Sequence, residues 1–160
     1  MAKLKDIKGT NIQFLADDPV VNINSWSSGG AMTTSRMRMG GDGTQTALIV
    51  TGGTTPSPSD QKALTETYNG TSFTEVADLN TGRTDLACSG TTTAALAATG
   101  SAATGIGTFV ESWNGSAWSE TTENNTARAE LAGFGIQTAM VIAGGKEPSI
   151  SNKTEYCHGS

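Results

Sequence analysis

Leu79-Asn80-Thr81-Gly82-Arg83, Asp85-Leu86-Ala87-Cys88-Ser89-Gly90, Thr93-Ala94-Ala95-Leu96-Ala97-Ala98-Thr99-Gly100 and Thr108-Phe109-Val110-Glu111-Ser112-Trp113-Asn114-Gly115 follow one another as a unit that the chain writes three times. The unit turns at its arginine and runs as a short strand of small residues. It continues as an apolar strand stopped by glycine, then as a strand carrying a glutamate and an aromatic. Asn114-Gly115 is a strong two-residue hairpin signal, and Trp118 opens the returning strand. Arg36, Arg83 and Arg128 mark the copies, at spacings of 83−36 = 47 and 128−83 = 45 residues. Gly53, Gly100 and Gly145 keep step with them, as do Glu66, Glu111 and Glu155. A period in the forties with four short strands per repeat predicts β-propeller blades.

The first copy has the same hairpin at Asn69-Gly70, and the third reads His158-Gly159 there, after Thr154-Glu155-Tyr156-Cys157. The third copy then stops short of a return strand. Asn22-Ile23-Asn24-Ser25-Trp26 aligns with Asn69-Gly70-Thr71-Ser72-Phe73 and Asn114-Gly115-Ser116-Ala117-Trp118, at spacings of 73−26 = 47 and 118−73 = 45. The expected fold is therefore all-β, with three four-stranded blades per chain and the last blade completed by the N-terminal strand. Repeat boundaries fall near 36–83, 83–128 and 128–160 plus 22–35. Residues 1–21 belong to no repeat. Three blades are fewer than the roughly four to eight that close a ring, so the reading implies a homo-oligomer. A dimer with six blades is favoured, with a trimer as the alternative.

Composition agrees with this class. Charged residues are 16%, apolar residues 36% and aromatics 6% of the 160, with 20 glycines. That is the palette of a turn-rich β protein with a core of small side chains. The net charge of −5 argues against nucleic acid, which needs clustered Lys and Arg. No apolar run reaches membrane-spanning length, and Met1-Ala2-Lys3-Leu4-Lys5-Asp6 lacks the apolar core of a signal peptide. The expectation is synthesis and folding in a cytoplasm without membrane insertion. Cys88 and Cys157 occupy non-equivalent places and read as plain buried or half-buried thiols rather than a disulfide framework.

Functional candidates follow from the repeat. Arg36, Arg83 and Arg128, with Glu66, Glu111 and Glu155, read as structural ion pairs holding blades together; the alternative is a ring of arginines binding an anion. Trp26, Phe73 and Trp118 read as core, as against sugar-stacking platforms, and Tyr68, Trp113 and Tyr156 carry the same ambiguity. The segments after the glycine-ended strand differ most between copies. Ser57, Asp60, Lys62, Thr104, Lys146, Glu147 and Asn152 are the candidate recognition residues there, since variable loops on a rigid scaffold often carry binding. Ile7, Ile12, Phe14 and Leu15 give residues 1–21 an apolar character that suits an anchoring arm docking on another protein. No catalytic, cofactor or metal constellation is expected. The sole histidine, His158, stands in a turn position, and one His with two unaligned Cys falls short of a usual zinc ligand set. The chain reads as non-enzymatic.

A double glycine ending the second strand (Gly52-Gly53, Gly144-Gly145) and a tryptophan opening the fourth are similar to the kelch repeat; Thr99-Gly100 departs from the glycine pair. Leu79-Asn80-Thr81-Gly82-Arg83, Ala132-Gly133-Phe134-Gly135-Ile136-Gln137-Thr138-Ala139 and Glu111-Ser112-Trp113-Asn114-Gly115-Ser116-Ala117-Trp118 look like the kelch-like arrays of marine phage virion proteins, cyanophages especially. Ile7-Lys8-Gly9-Thr10-Asn11-Ile12-Gln13-Phe14-Leu15 looks like the leader of such proteins. The resemblance implies a virion structural protein of tail, fibre or capsid decoration. It would be anchored on other virion proteins through residues 1–21 and in contact with a host surface glycan or receptor. A carbohydrate-binding adsorption module, or a glycan-active propeller, is the alternative.

Overall fold

The computed structural model describes residues 26–56 and 60–159. The expected anchoring arm, with Ile7, Ile12, Phe14 and Leu15, lies outside the described residues, as do Asn22 to Ser25 and Ser57. The described chain is all-β, and no helix in it is long and apolar enough to cross a membrane.

The first sheet is an antiparallel meander of β1 (Gly40–Thr44), β2 (Ala47–Thr51), β3 (Thr65–Tyr68) and β4 (Phe73–Val76), in that order. A short β5 (Arg83–Thr84) leads into β6 (Ala87–Gly90) and β7 (Ala95–Ala98). The small hairpin of β8 (Ser101–Ala102) and β9 (Gly105–Ile106) intervenes before β10 (Val110–Trp113) and β11 (Trp118–Glu120). β6, β7, β10 and β11 make the second sheet in sequence order, the same meander as the first. The third begins with β12 (Ala132–Ile136) and β13 (Ala139–Ala143). After another small hairpin, β14 (Lys146–Glu147) and β15 (Ser149–Ile150), it closes with β16 (Thr154–Tyr156). This sheet has three described strands where the others have four. Trp26, expected to open its fourth strand inside the core, is instead 97% exposed, because no described strand lies beside it.

The sheets stack on one another through their first strands, β1 and β12 both lying against β6. Ile49 of the first sheet packs with Cys88, Ala95, Ala97, Trp113 and Trp118 of the second. Leu96 and Ala98, on the opposite face, pack with Met140 and Ile142 of the third. The second sheet is thus covered on both faces, which is why the run Ala94–Ala98 is continuously apolar rather than alternating. Small residues set the spacing: a Cβ on Gly133 would stand 2.5 Å from the Cβ of Ala87.

The turn that ends each second strand is repeated in its backbone as well as its wording. Gly52 (φ 71°), Thr99 (φ 62°) and Gly144 (φ 69°) occupy the same left-handed conformation. Thr99 is a β-branched residue in a region that costs non-glycine residues roughly 1–2 kcal/mol. Its side chain is buried and its Oγ1 has no hydrogen-bond partner among the described residues. The second copy thus keeps the backbone geometry of the other two with a threonine where they have glycine. Thr99→Gly should therefore stabilise the protein by about 1 kcal/mol and raise Tm by roughly 2–4 °C in a thermal melt; an unchanged or lower Tm would contradict this reading of the turn.

Candidate functional site

The most elaborate side-chain chemistry lies at the recurring arginines. Each guanidinium is fully buried and meets the glutamate of its own sheet's third strand. The distances are 2.8 Å for Arg36–Glu66, 2.5 Å for Arg83–Glu111 and 2.7 Å for Arg128–Glu155. Arg36 Nη1 also donates to the carbonyls of Gly52 and Leu64, and Arg128 Nη1 to those of Gly144 and Lys153. Arg83 donates to Thr81 O and Ala97 O, and its guanidinium lies 5.8 Å from the Phe109 ring centre. The second carboxylate oxygen of each glutamate accepts a backbone N–H three residues before the arginine. The donors are Thr33 to Glu66 (2.8 Å), Asn80 to Glu111 (2.7 Å) and Asn125 to Glu155 (2.7 Å). One carboxylate thereby ties the incoming chain, the arginine and the sheet together.

Electrostatics follow that geometry. Burial alone would raise the Glu66 carboxyl, but hydrogen bonds from Thr33 and the charge of Arg36 outweigh it and hold the group below its ordinary range. Glu155 is likewise lowered, burial being overcome by Asn125, Thr126 and Arg128. Arg83 is lowered from its ordinary value by burial, against the raising pull of Glu111. Each arginine leaves its Nε buried without a hydrogen-bond partner among the described residues. These guanidiniums face carbonyls and a carboxylate of their own sheet, an environment built for a cation and closed to a free anion.

The pairs form, but each ties the segment leading into a four- or three-stranded meander to that meander's third strand rather than to a neighbouring meander; Arg83 itself lies in β5, which pairs with β8 and β9 in a small sheet of its own. Joints between sheets are made by backbone instead. Gly53 N–H donates to Arg83 O (2.8 Å) and Gly100 N–H to Arg128 O (2.9 Å). Two residues beyond each arginine, Asp85 N–H donates to Arg38 O (2.8 Å) and Glu130 N–H to Asp85 O (3.0 Å). Arg38, Asp85 and Glu130 all hold positive φ (62°, 56° and 57°). Arg38 also bonds Asp85 at 2.7 Å and lies 3.9 Å from Glu130. Sequence reading misses this ladder because its residues differ in type; the phase-locked offset from the arginines is the signal that finds it. Side chains add further links, among them Gly90 N–H to Asp42 Oδ2 (2.8 Å) and Gln137 Nε2 to Trp113 O (2.6 Å).

The aromatics divide by position. Trp118 is buried between the first two sheets, 5.4 Å from Trp113, and its Nε1 donates to Thr65 Oγ1 at 3.0 Å. Phe73 is half-buried against Tyr68, and Tyr156 is 64% exposed. Cys88 is buried and its thiol is pushed up to about 12, chiefly by burial and next by Asp42. Cys157, expected to be covered, is exposed: it holds the place of Trp113 on an edge where no described strand lies alongside.

The candidate recognition residues sit on equivalent excursions. Hairpins β8–β9 and β14–β15 carry exposed Thr104 and Lys146, half-buried Glu147 and, just beyond, exposed Asn152. Each excursion is tied to its arginine segment, through Met37↔Thr54, Thr84↔Ser101 and Ala129↔Lys146. Asp60 pairs with Lys62 at 2.7 Å, and Glu147 with Lys153 at 3.2 Å. The described ones share a place in the repeat, and none of them lines either of the two cavities below. A cleft of about 690 Å3 opens between the second and third sheets, lined by Val110, Gln137, Met140, Ile142, Glu155 and Cys157 among others. The seam between the first two sheets keeps a cavity of about 290 Å3. Among the described residues no cluster of three or more His, Cys, Asp or Glu side chains is arranged to hold a metal. No protein-family model matches the chain, and no curated protein matches it in sequence.

Removing one member of a buried pair leaves its partner charged and unmatched, at a cost of about 3–5 kcal/mol. Arg83→Ala should accordingly lose most of the stability in a urea titration. Arg83→Lys should recover little, because an ammonium cannot span a carboxylate and separate carbonyls in one plane. Near-native stability in either variant would contradict the clamp.

Proposed function

We propose that this chain is a non-enzymatic structural protein of a virus particle, a kelch-like repeat protein of the marine phage, cyanophage kind, whose sheets are propeller blades. The observation that carries the reading is the stack of repeated antiparallel sheets in which the buried charges are spent on internal clamps. Such a body is a rigid spacer and display platform, the service required of a tail, fibre or capsid-decoration component. The kelch-like features, the double glycine at Gly52-Gly53 and Gly144-Gly145 and the strand-opening Trp118, support the same reading. Residues 1–21 would anchor the body to other virion proteins after synthesis in the host cytoplasm.

A second reading, a carbohydrate-binding adsorption module or glycan-active propeller, draws on the exposed residues of the equivalent hairpins, Thr104 and Lys146. Variable excursions on a constant frame suit recognition of a host surface glycan. The two readings separate experimentally. An antibody raised against the purified chain should decorate intact particles of the virus that encodes it, at a fixed position under the electron microscope. Antigen found only in the lysate and never on particles would overturn the structural reading. Capture of host surface glycan by the purified chain, lost when the β14–β15 hairpin is shortened, would establish the second.

A further inference from the structure

The geometry points to a second copy of this chain as the occupant of the open third sheet. The copies would be joined head to tail, with Trp26 of the partner subunit seated in the cleft between the second and third sheets. The inference rests on reading the sheets as propeller blades, but not on the virion assignment.

The internal repeat supplies the template. Trp118 stands in direct cross-strand register with Trp113 on the outer edge of the second sheet and donates to Thr65 of the first. Forty-five residues on from Thr65 is Val110, and Cys157 holds the third sheet's equivalent of Trp113. Val110 and Cys157 both line the 690 Å3 cleft. The residue equivalent to Trp118 and Phe73 is Trp26, which is 97% exposed in the single chain. A large apolar side chain in water and a cleft bordered by the matching register positions are two halves of one contact.

Chain direction places Trp26 on another molecule's sheet. Gly29 lies against the Tyr68 hydroxyl and Gly30 against the Thr71 carbonyl, so the segment reaches the first sheet at its β3–β4 hairpin. The second sheet then stands between that entry and the open third sheet. The joints between sheets end in matching halves. The ladder through Arg38, Asp85 and Glu130 leaves the Arg38 N–H at one end and the Glu130 carbonyl at the other without such a bond among the described residues. Gly145 N–H and Arg36 O are likewise the unused counterparts of the Gly53–Arg83 and Gly100–Arg128 bonds. The outward side of the third sheet carries Phe134 (54% exposed) and Tyr156 (64% exposed), apolar surface that a following sheet would cover. Two copies give six sheets, inside the roughly four to eight of closed propellers, whereas one copy gives three and three copies nine.

Cysteine crosslinking reads the contact directly. Residues in direct cross-strand register have Cα atoms about 4.5–5.5 Å apart, within disulfide range. Trp26→Cys, oxidised at micromolar concentration, should therefore join to the native Cys157 of the partner subunit. It should run on a denaturing non-reducing gel at twice 16.4 kDa, and adding Cys157→Ser should abolish the band. Cys88 is buried and stays out of the reaction. A disulfide within one chain, or none, would overturn the exchange. The unmodified chain should have a native mass twice its own, and Trp26→Ala should weaken the dimer about thirtyfold as a central aromatic contact. A monomeric unmodified chain would overturn the proposal as well. Particle labelling is indifferent to these outcomes, so the virion reading and the exchange fail separately.

Discussion

Three buried guanidinium–carboxylate pairs hold the parts of this molecule in register. Each arginine arrives on the segment preceding its sheet, each glutamate on the sheet's third strand, and the carboxylate's other oxygen takes an amide from the incoming chain. A core that interleaves alanines with a few large side chains such as Ile49, Leu96, Trp113, Trp118 and Met140 leaves much of the inter-sheet surface to small residues, which specify packing weakly. Fixed charges in a dry site do the reverse. They are costly unless every partner is in place, and so they penalise any slip of strand or segment. The same pair recurs at the same place in all three copies. That makes it the constant about which the surrounding residues vary.

With each sheet clamped to its own preceding segment, the joints between sheets rely largely on backbone groups. Backbone carbonyls of Arg83 and Arg128, and the left-handed residues two positions on, meet amides of the adjacent repeat. Small residues on β1, β6 and β12 allow that approach. The repeat is consequently a chain of nearest-neighbour contacts, and its ends expose the groups that its middle satisfies. Among the described residues the second sheet is covered on both faces, and the exposed Phe134, Ile136 and Tyr156 belong to the third.

Much of this was legible in the sequence. The spacings of arginine, glycine and glutamate predict the three sheets and their strand order, because a repeated wording must meet a repeated environment. The Arg–Glu pairing was legible for the same reason. Its direction was not, since a one-dimensional period cannot tell a contact to the meander that follows from one to a neighbouring copy. The ladder through Arg38, Asp85 and Glu130 was hidden by its chemistry: backbone groups make the bonds, and three unlike side chains ride on them. The fate of Trp26 was misread for a third reason. Its alignment with Trp118 predicts a buried strand opener, but burial needs a neighbouring sheet, and a sequence does not say which molecule supplies it. Closed blades and a ring remain our proposals, resting on the wording of the repeat.

The central claim is that each arginine–glutamate pair acts as one unit. A double-mutant cycle on Arg83→Met and Glu111→Gln, read by urea denaturation, tests it most directly. The account predicts a coupling energy of about 2–3 kcal/mol, with the double variant more stable than the two single losses would sum to. Additive losses within about 0.5 kcal/mol would show that the two side chains stabilise the sheet independently, and would contradict it.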